Sequence, residues 1–429
     1  MAPVPQMVRG VLRSALVPAF MAWERIESGV SYSPISAKTR AYPFDKYEEL
    51  RRKDPVHRLR TINAWVLTQY EDANAVLRDH ARFSRDYGGK SAYRSMLDTD
   101  PPDHTRLRTL VSKAFTPRSV ADLTPRIQQI VDDLLDATEG RDRFDLIDTF
   151  AYPLPVIVIA EMLGVPSEDI EIFKSWSNDI ALSVEPAVND EQQRRIDESG
   201  GKLYDYFEGI IEQRRREPQD DMITALIAAE DEGDRLTHEE LLATLLLLLV
   251  AGNETTRNLI GNGTLALVRN PDQLERLRDE PELIDSAINE MLRYDSPVQL
   301  DGRMATEEVE IGGKRIKPGQ RAICLLGAAN RDPSVFTNPD VFDIGRQDAS
   351  HIAFGRGIHY CLGAPLAVLE GRIAFSSLLN RFSSIRLLSE PEYREQVVLR
   401  GVKELWIEVE RSALPEPEGV APAAASVTT

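Results

Sequence analysis

Phe354-Gly355-Arg356-Gly357-Ile358-His359-Tyr360-Cys361-Leu362-Gly363 is the stretch on which the reading of this chain turns. Ala364-Pro365-Leu366-Ala367-Val368-Leu369-Glu370 follows with helical periodicity, so Cys361 stands where a glycine-rich loop ends and a helix begins. Proline is tolerated in that first turn because its missing N–H would have had no intrahelical partner. Free backbone amides and the positive dipole end at such a start favour a thiolate. Gly355, Gly357 and Gly363 remove side chains where a large flat group would otherwise be blocked. A lone cysteine at a helix start is more often an ordinary buried thiol; three glycines and Phe354 around it turn the reading toward a ligand. The other cysteine, Cys324, lies in the apolar run Ala322 to Leu326 and reads as a core thiol.

Working outward, two cysteines in 429 residues exclude a disulfide framework and fit a reducing, cytoplasmic setting. A net charge of −18 argues against nucleic-acid binding. Residues 1–60 carry 11 Lys/Arg against 6 Asp/Glu, a local basic excess. Met7 to Trp23 has no acid, two arginines (Arg9 and Arg13) and many apolar residues; a signal peptide, whose apolar core Arg13 would interrupt, and a surface helix touching membrane lipid are the alternatives to a packed helix. We read residues 1–40 as an arm or helix packed on the protein, residues 41–411 as one domain, and the Pro/Ala/Glu-rich residues 412–429 as a disordered tail. No transmembrane segment is expected.

Asp45 to Arg52 reads as a short helix, and His57–Arg60 with Ala64–Thr68 as paired strands about Ile62-Asn63. From Tyr70 to about Ser296 the pattern is almost wholly helical with proline punctuation. Glu308 to Gly313 signals a hairpin leading to Arg321–Leu326, followed by a proline-punctuated coil. The fold class is mainly α with small antiparallel β-sheets.

Thr237-His238-Glu239-Glu240 is a capping box opening a long helix that Pro271 stops. Leu241 to Ala251 is apolar all round except Thr244, yet too short to span a membrane, so it belongs to a core. Ala251-Gly252-Asn253-Glu254-Thr255-Thr256 then turns polar, with a glycine and a hydroxyl that weaken the helix locally. Glu290 and Arg293 are three apart on a later helix, as are many surface ion pairs. His104 and Arg108 share a helix face, with Arg303 and His359 further on.

In this order and spacing the motifs resemble the cytochrome P450 family over roughly residues 40–410. The resemblance implies the P450 fold, with haem b as cofactor and Cys361 as the axial ligand of its iron. It implies that Glu254 and Thr255 are the acid and alcohol that supply protons for dioxygen scission. It implies that His104, Arg108, Arg303 and His359 hold the haem propionates, and that Glu290, Arg293 and Arg346 lock the core. The pocket is expected to draw on Arg85 to Met96, Ile172 to Val188, Leu247, Leu248, Ala251, Val298 to Leu300 and Val398 to Val402. Leu247, Leu248, Ala251, Val298 and Leu300 are apolar and suit a hydrophobic small molecule; Lys90 and Arg94 could meet a carboxylate, although loop cations are more often just solvated.

The activity so implied is monooxygenation with O2, by hydroxylation or epoxidation. No flavin or nicotinamide fingerprint is evident, so electrons from NAD(P)H are expected through a separate ferredoxin or flavodoxin-type donor and its reductase. Arg106, Lys113 and Arg356 are candidates for a locally basic docking face. A peroxygenase using hydrogen peroxide and a non-catalytic recruitment module are the alternatives, and the Glu254-Thr255 pair argues against both.

Overall fold

The computed structural model describes residues 6–87, 95–113, 115–186, 188–231, 236–347 and 350–412. Lys90, Arg94 and the expected tail beyond 412 lie outside these. Helix α1 (Gln6–Ser28) leads, followed by α2 (Ala37–Ala41) and α3 (Phe44–Lys53). Strands β1 (Val56–Leu59) and β2 (Ala64–Leu67) pair as expected, turning where Asn63 adopts φ 56°. Next come α4 (Tyr70–Arg78), β3 (Phe83–Ser84), α5 (Asp103–Ser112), α6 (Pro117–Asp122), α7 (Thr124–Asp136) and β4 (Arg143–Asp145). The central helices are α8 (Pro153–Leu163), α9 (Ile170–Ala181), α10 (Asp190–Arg216), α11 (Met222–Asp231), α12 (His238–Arg269), α13 (Pro271–Asp279) and α14 (Ile284–Tyr294). The C-terminal part holds β5 (Leu300–Ala305), β6 (Val309–Ile311), β7 (Lys314–Ile316), β8 (Arg321–Leu325), α15 (Leu326–Ala329), α16 (Ala364–Arg381), β9 (Phe382–Leu387) and β10 (Trp406–Arg411).

One sheet has the order β1-β2-β8-β5-β3, a second β4-β10-β9, and β6-β7 is the expected hairpin. Pairings are antiparallel except β2 with β8. Strands β3 and β4 sit inside the stretch that reads as helical. They are two and three residues long, and their partners β5 and β10 lie over 200 positions away, so no local pattern announces them.

The axis of the molecule is α12. Its 32 residues would span about 48 Å at 1.5 Å per residue. Both halves of its capping box form: the Thr237 hydroxyl accepts from the Glu240 N–H at 3.2 Å, and the Thr237 N–H donates to the Glu240 carboxylate at 2.8 Å. Leu241, Leu242, Leu245 and Leu249 are fully buried in the main core. At Gly263 a Cβ would lie 2.6 Å from Phe375 of α16, so the missing side chain lets these helices cross closely. That crossing sets α16, the helix that Cys361 precedes, against the Leu259–Gly263 part of α12.

Candidate functional site

Cys361 follows the single turn Gly357–His359 and precedes α16, with Pro365 in the helix's first turn. Its N–H donates to the Phe354 carbonyl at 2.9 Å, which closes the loop. Gly355 and Gly357 have φ of 70° and 72°, where a side chain is strained. A Cβ on Gly357 would also lie 2.5 Å from the Leu77 carbonyl of α4, so this glycine serves chain packing as well as conformation. Gly363 has an ordinary φ of −81°, and a Cβ there would meet nothing within 4 Å: the space beside it is open. Of the three glycines, only Gly363 behaves simply as a cleared face.

Burial pushes the Cys361 thiol above its ordinary range, while the N–H groups of Gly363 and Ala364 and the Arg108 guanidinium pull it back. The helix start and Arg108 thus lower the cost of a thiolate without reversing the effect of burial.

The remaining expected cofactor contacts gather here. The rings of His104 and His359 lie 4.3 Å apart, tilted by 58°. Arg108 donates to the Tyr360 carbonyl at 2.6 Å. Arg303, buried on β5, bonds Asp301 at 2.8 Å. Arg85 joins the same carboxylate at 2.5 Å. Burial raises the Asp301 pKa, but Arg85 and Arg303 outweigh it and hold the carboxyl below its usual range. Burial first, then Arg303, His104 and Arg85, depress His359 to about 3. His104 is lowered by burial and by Arg108. Three guanidiniums and two neutral imidazoles therefore converge with one carboxylate among them, and the Nε2 atoms of both histidines are buried without a hydrogen-bond partner. This donor-rich, acceptor-poor set fits a cofactor bearing two carboxylates beside a thiolate-ligated metal. Arg85 and Asp301 were not singled out for this role from sequence; they are 216 positions apart, and only folding joins them.

On α12, Glu254 is completely buried. Its Oε2 accepts from Arg394 and, at 3.4 Å, from Arg257, while Oε1 has no partner. The Thr255 hydroxyl donates to the Ala251 carbonyl at 2.8 Å, leaving its lone pairs as acceptors. The two side chains thus bond to different partners. The helix stays continuous through this locally weakened segment. Gly252 lets α8 approach, for a Cβ there would stand 3.3 Å from Ile159.

Leu247, Ala251 and Thr255 are spaced at four residues, and all three keep solvent-accessible surface on a mostly buried helix, as do their neighbours Val250 and Gly252. Leu248 is instead part of the main core, off this stripe, because one residue turns the helix by about 100°. Val298 and Leu300 are partly exposed, and Val298 bridges to Leu399. Glu290 receives Arg293 at 2.7 and 2.8 Å and Arg346 at 3.0 Å, so the three charged residues meet. Arg106 is not a free docking cation: Glu240 takes it at 3.0 and 2.5 Å. Arg356 donates to the Ser350 and His351 carbonyls, and Lys113 is exposed at the end of α5.

With this geometry in view, the comparisons with known proteins decide the family. The cytochrome P450 family model matches residues 36–401. The chain belongs to the cytochrome P450 family. Cytochrome P450 107B1 of Saccharopolyspora erythraea is 45% identical over 380 residues, covering 82% of this chain and 92% of that one. The cytochrome P450 monooxygenase PikC of Streptomyces venezuelae is 41% identical, covering 86% and 91%. Among solved structures, CYP109E1 from Bacillus megaterium in complex with testosterone superposes with a TM-score of 0.82 at 40% identity, covering 87% of this chain and 99% of that one. P450BioI bound to hexadec-9Z-enoic acid ligated acyl carrier protein gives 0.83 at 40% identity, covering 87% and 100%. This cytochrome P450 is accordingly an oxidoreductase of the monooxygenase type, and membership implies haem and dioxygen. Among the described residues no helix is long and apolar enough to cross a membrane.

Proposed function

We propose that this cytochrome P450 inserts one oxygen atom of O2 into a hydrophobic small molecule, by hydroxylation or epoxidation. NAD(P)H supplies the electrons in the cytoplasm by way of a separate ferredoxin or flavodoxin-type carrier. The observation that carries this reading is the thiol of Cys361 at the start of α16, facing amides and Arg108 beside a cationic cluster with unpartnered imidazole nitrogens. When bound, haem supplies dioxygen binding and O–O bond chemistry, with the Cys361 sulfur as its protein ligand.

The protein's own contributions follow from the geometry. Arg108, Arg303, His104 and His359 hold the cofactor's carboxylates by charge-assisted hydrogen bonds. Leu247, Ala251, Val298 and Leu300 present apolar surface to substrate and exclude water from it. Thr255 fixes a proton-bearing partner through its acceptor lone pairs, since its own proton is committed to Ala251. Glu254 carries protons from the side of Arg394 and Arg257 by exchanging one of those partners for water. The hydrophobic substrate class is supported by the apolar stripe and by relatives seen with testosterone and with an acyl chain.

The test is the absorption spectrum of the reduced protein under carbon monoxide, followed by product formation with a ferredoxin system against peroxide alone. A thiolate-type Soret band with reductase-dependent product is expected. No such band, or turnover on peroxide alone, would overturn the reading.

A further inference from the structure

The stretch Arg394–Leu399 is held from two sides. On one side, Arg394 bonds Glu254 of α12. On the other, a single carboxylate collects three successive backbone amides: Glu185 accepts from Val397 at 2.6 Å, from Val398 at 3.1 and 3.2 Å, and from Leu399 at 3.2 Å. Glu185 follows the short turn Leu182–Val184 at the end of α9, where its N–H donates to the Leu182 carbonyl, and is partly buried.

The wall that it grips is continuous with β5. Gln299 N–H donates to the Val398 carbonyl at 2.8 Å, and Val298 bridges to Leu399. The other end of the connection is α9, which is tied to the functional segment of α12 by the buried bond from Asn253 to the Ser177 hydroxyl, 3.1 Å. Glu185 therefore joins α9, which is anchored beside Ala251–Thr255, to the wall that carries Val298. Without it, α9 would keep its bond to α12 and lose the bonds that Glu185 makes to the opposite wall.

We propose that Glu185 is a positioning residue, a latch fastening α9 to Val397–Leu399, and that its release sets how fast molecules enter and leave the pocket. The inference rests on the pocket lying between these walls, as argued above. A charged acceptor shared by three N–H groups is strong enough to keep the walls together, yet it is one side chain that can rotate away. A contact that holds one wall to another acts on the passage between them, so it should govern rates and leave affinity nearly unchanged.

Two measurements on the haem-loaded protein decide it. Hydrogen exchange at Val397, Val398 and Leu399 should quicken by about tenfold or more in Glu185→Ala, with β9–β10 unchanged. Glu185→Gln, which keeps size and one acceptor oxygen, should give a smaller change in the same direction and serves if Glu185→Ala folds poorly. Stopped-flow binding of imidazole, read by the Soret shift, should show association and dissociation rates rising together with little change in Kd. Unaltered exchange at the three amides in both variants would overturn the latch, as would association and dissociation rates equal to those of wild type. If the wild type shows no Soret response to imidazole, the haem reading fails, while the exchange result still decides whether Glu185 fastens the walls.

Discussion

At Cys361, proposed above as the haem ligand, two local effects oppose each other. Burial disfavours the thiolate, whereas two amides and Arg108 favour it. Cys361→His should abolish the thiolate-type carbon monoxide band. Cys324→Ser should leave it intact, because Cys324 is buried against the Ala73 carbonyl in a different cluster, and the new hydroxyl can keep that bond. Thr255 and Glu254 separate in a similar way. Thr255→Val removes the acceptor beside the apolar stripe, so haem content and substrate-induced spectral change should persist while reducing equivalents leak to peroxide; product per NAD(P)H consumed is the measurement. Glu254→Gln leaves Arg394 and Arg257 facing a neutral amide in a buried place. We expect slower turnover with a larger solvent isotope effect and a stability loss of about 3 kcal/mol in denaturant titration. Coupling and rate equal to wild type in both variants would remove these residues from proton delivery.

At the scale of elements, the cysteine loop owes its shape to its neighbours as well as to its own glycines. Gly357 is pinned by positive φ and by the Leu77 carbonyl of α4, whereas Gly363 borders open space. Gly357→Ala should therefore destabilise the fold by about 1–3 kcal/mol even without cofactor. Gly363→Ala should leave the apoprotein's melting temperature nearly unchanged and lower haem content after reconstitution. The reverse pattern would contradict a cofactor face at Gly363. The Glu290–Arg293–Arg346 cluster ties α14 to the coil ahead of the loop, since Arg293 also bonds the Asn330 and Pro339 carbonyls and Asn330 receives the Ile352 N–H. Glu290→Gln strands two guanidiniums; haem loss on gel filtration is expected together with lowered stability.

Over the whole molecule, charge is distributed against its average. The chain is acidic at −18, while the first 60 residues are basic. An acidic electron donor should dock near Cys361 with a rate that falls as salt rises. Lys113→Glu should weaken that dependence more than Arg106→Glu, because Glu240 already neutralises Arg106. Equal effects would place the docking face elsewhere. The N-terminal helix is fastened by a buried cluster: Glu24 accepts from the Tyr32 and Arg60 N–H groups and lies 3.5 Å from His57, whose other nitrogen meets Asp54 at 3.0 Å, with Lys314 beside Asp54. Burial would lower the His57 pKa, but the two carboxylates outweigh it and raise it. The stabilisation is thus fully present below the unfolded value of about 6.5 and is lost as pH rises through the higher folded value. The melting-temperature gap between wild type and His57→Asn should be widest on the acid side and narrow above neutrality.

Local chemistry determined much of this protein by sequence alone. The cysteine loop, the capping box of α12, the β6–β7 hairpin and the helical core could be read because glycine conformations, helix caps and apolar periodicity act over a few neighbouring residues. The grouping of His104, Arg108, Arg303 and His359 was legible only through likeness to a family. Tertiary structure alone decided the rest. It paired β3 with β5 and β4 with β10, brought Arg85 to Asp301, turned Leu248 into the core, neutralised Arg106 with Glu240, and held Arg394–Leu399 between Glu254 and Glu185. Each of these joins groups far apart in the chain. Hydrogen bonds and charge pairs act over ångströms in space and leave no period along the sequence.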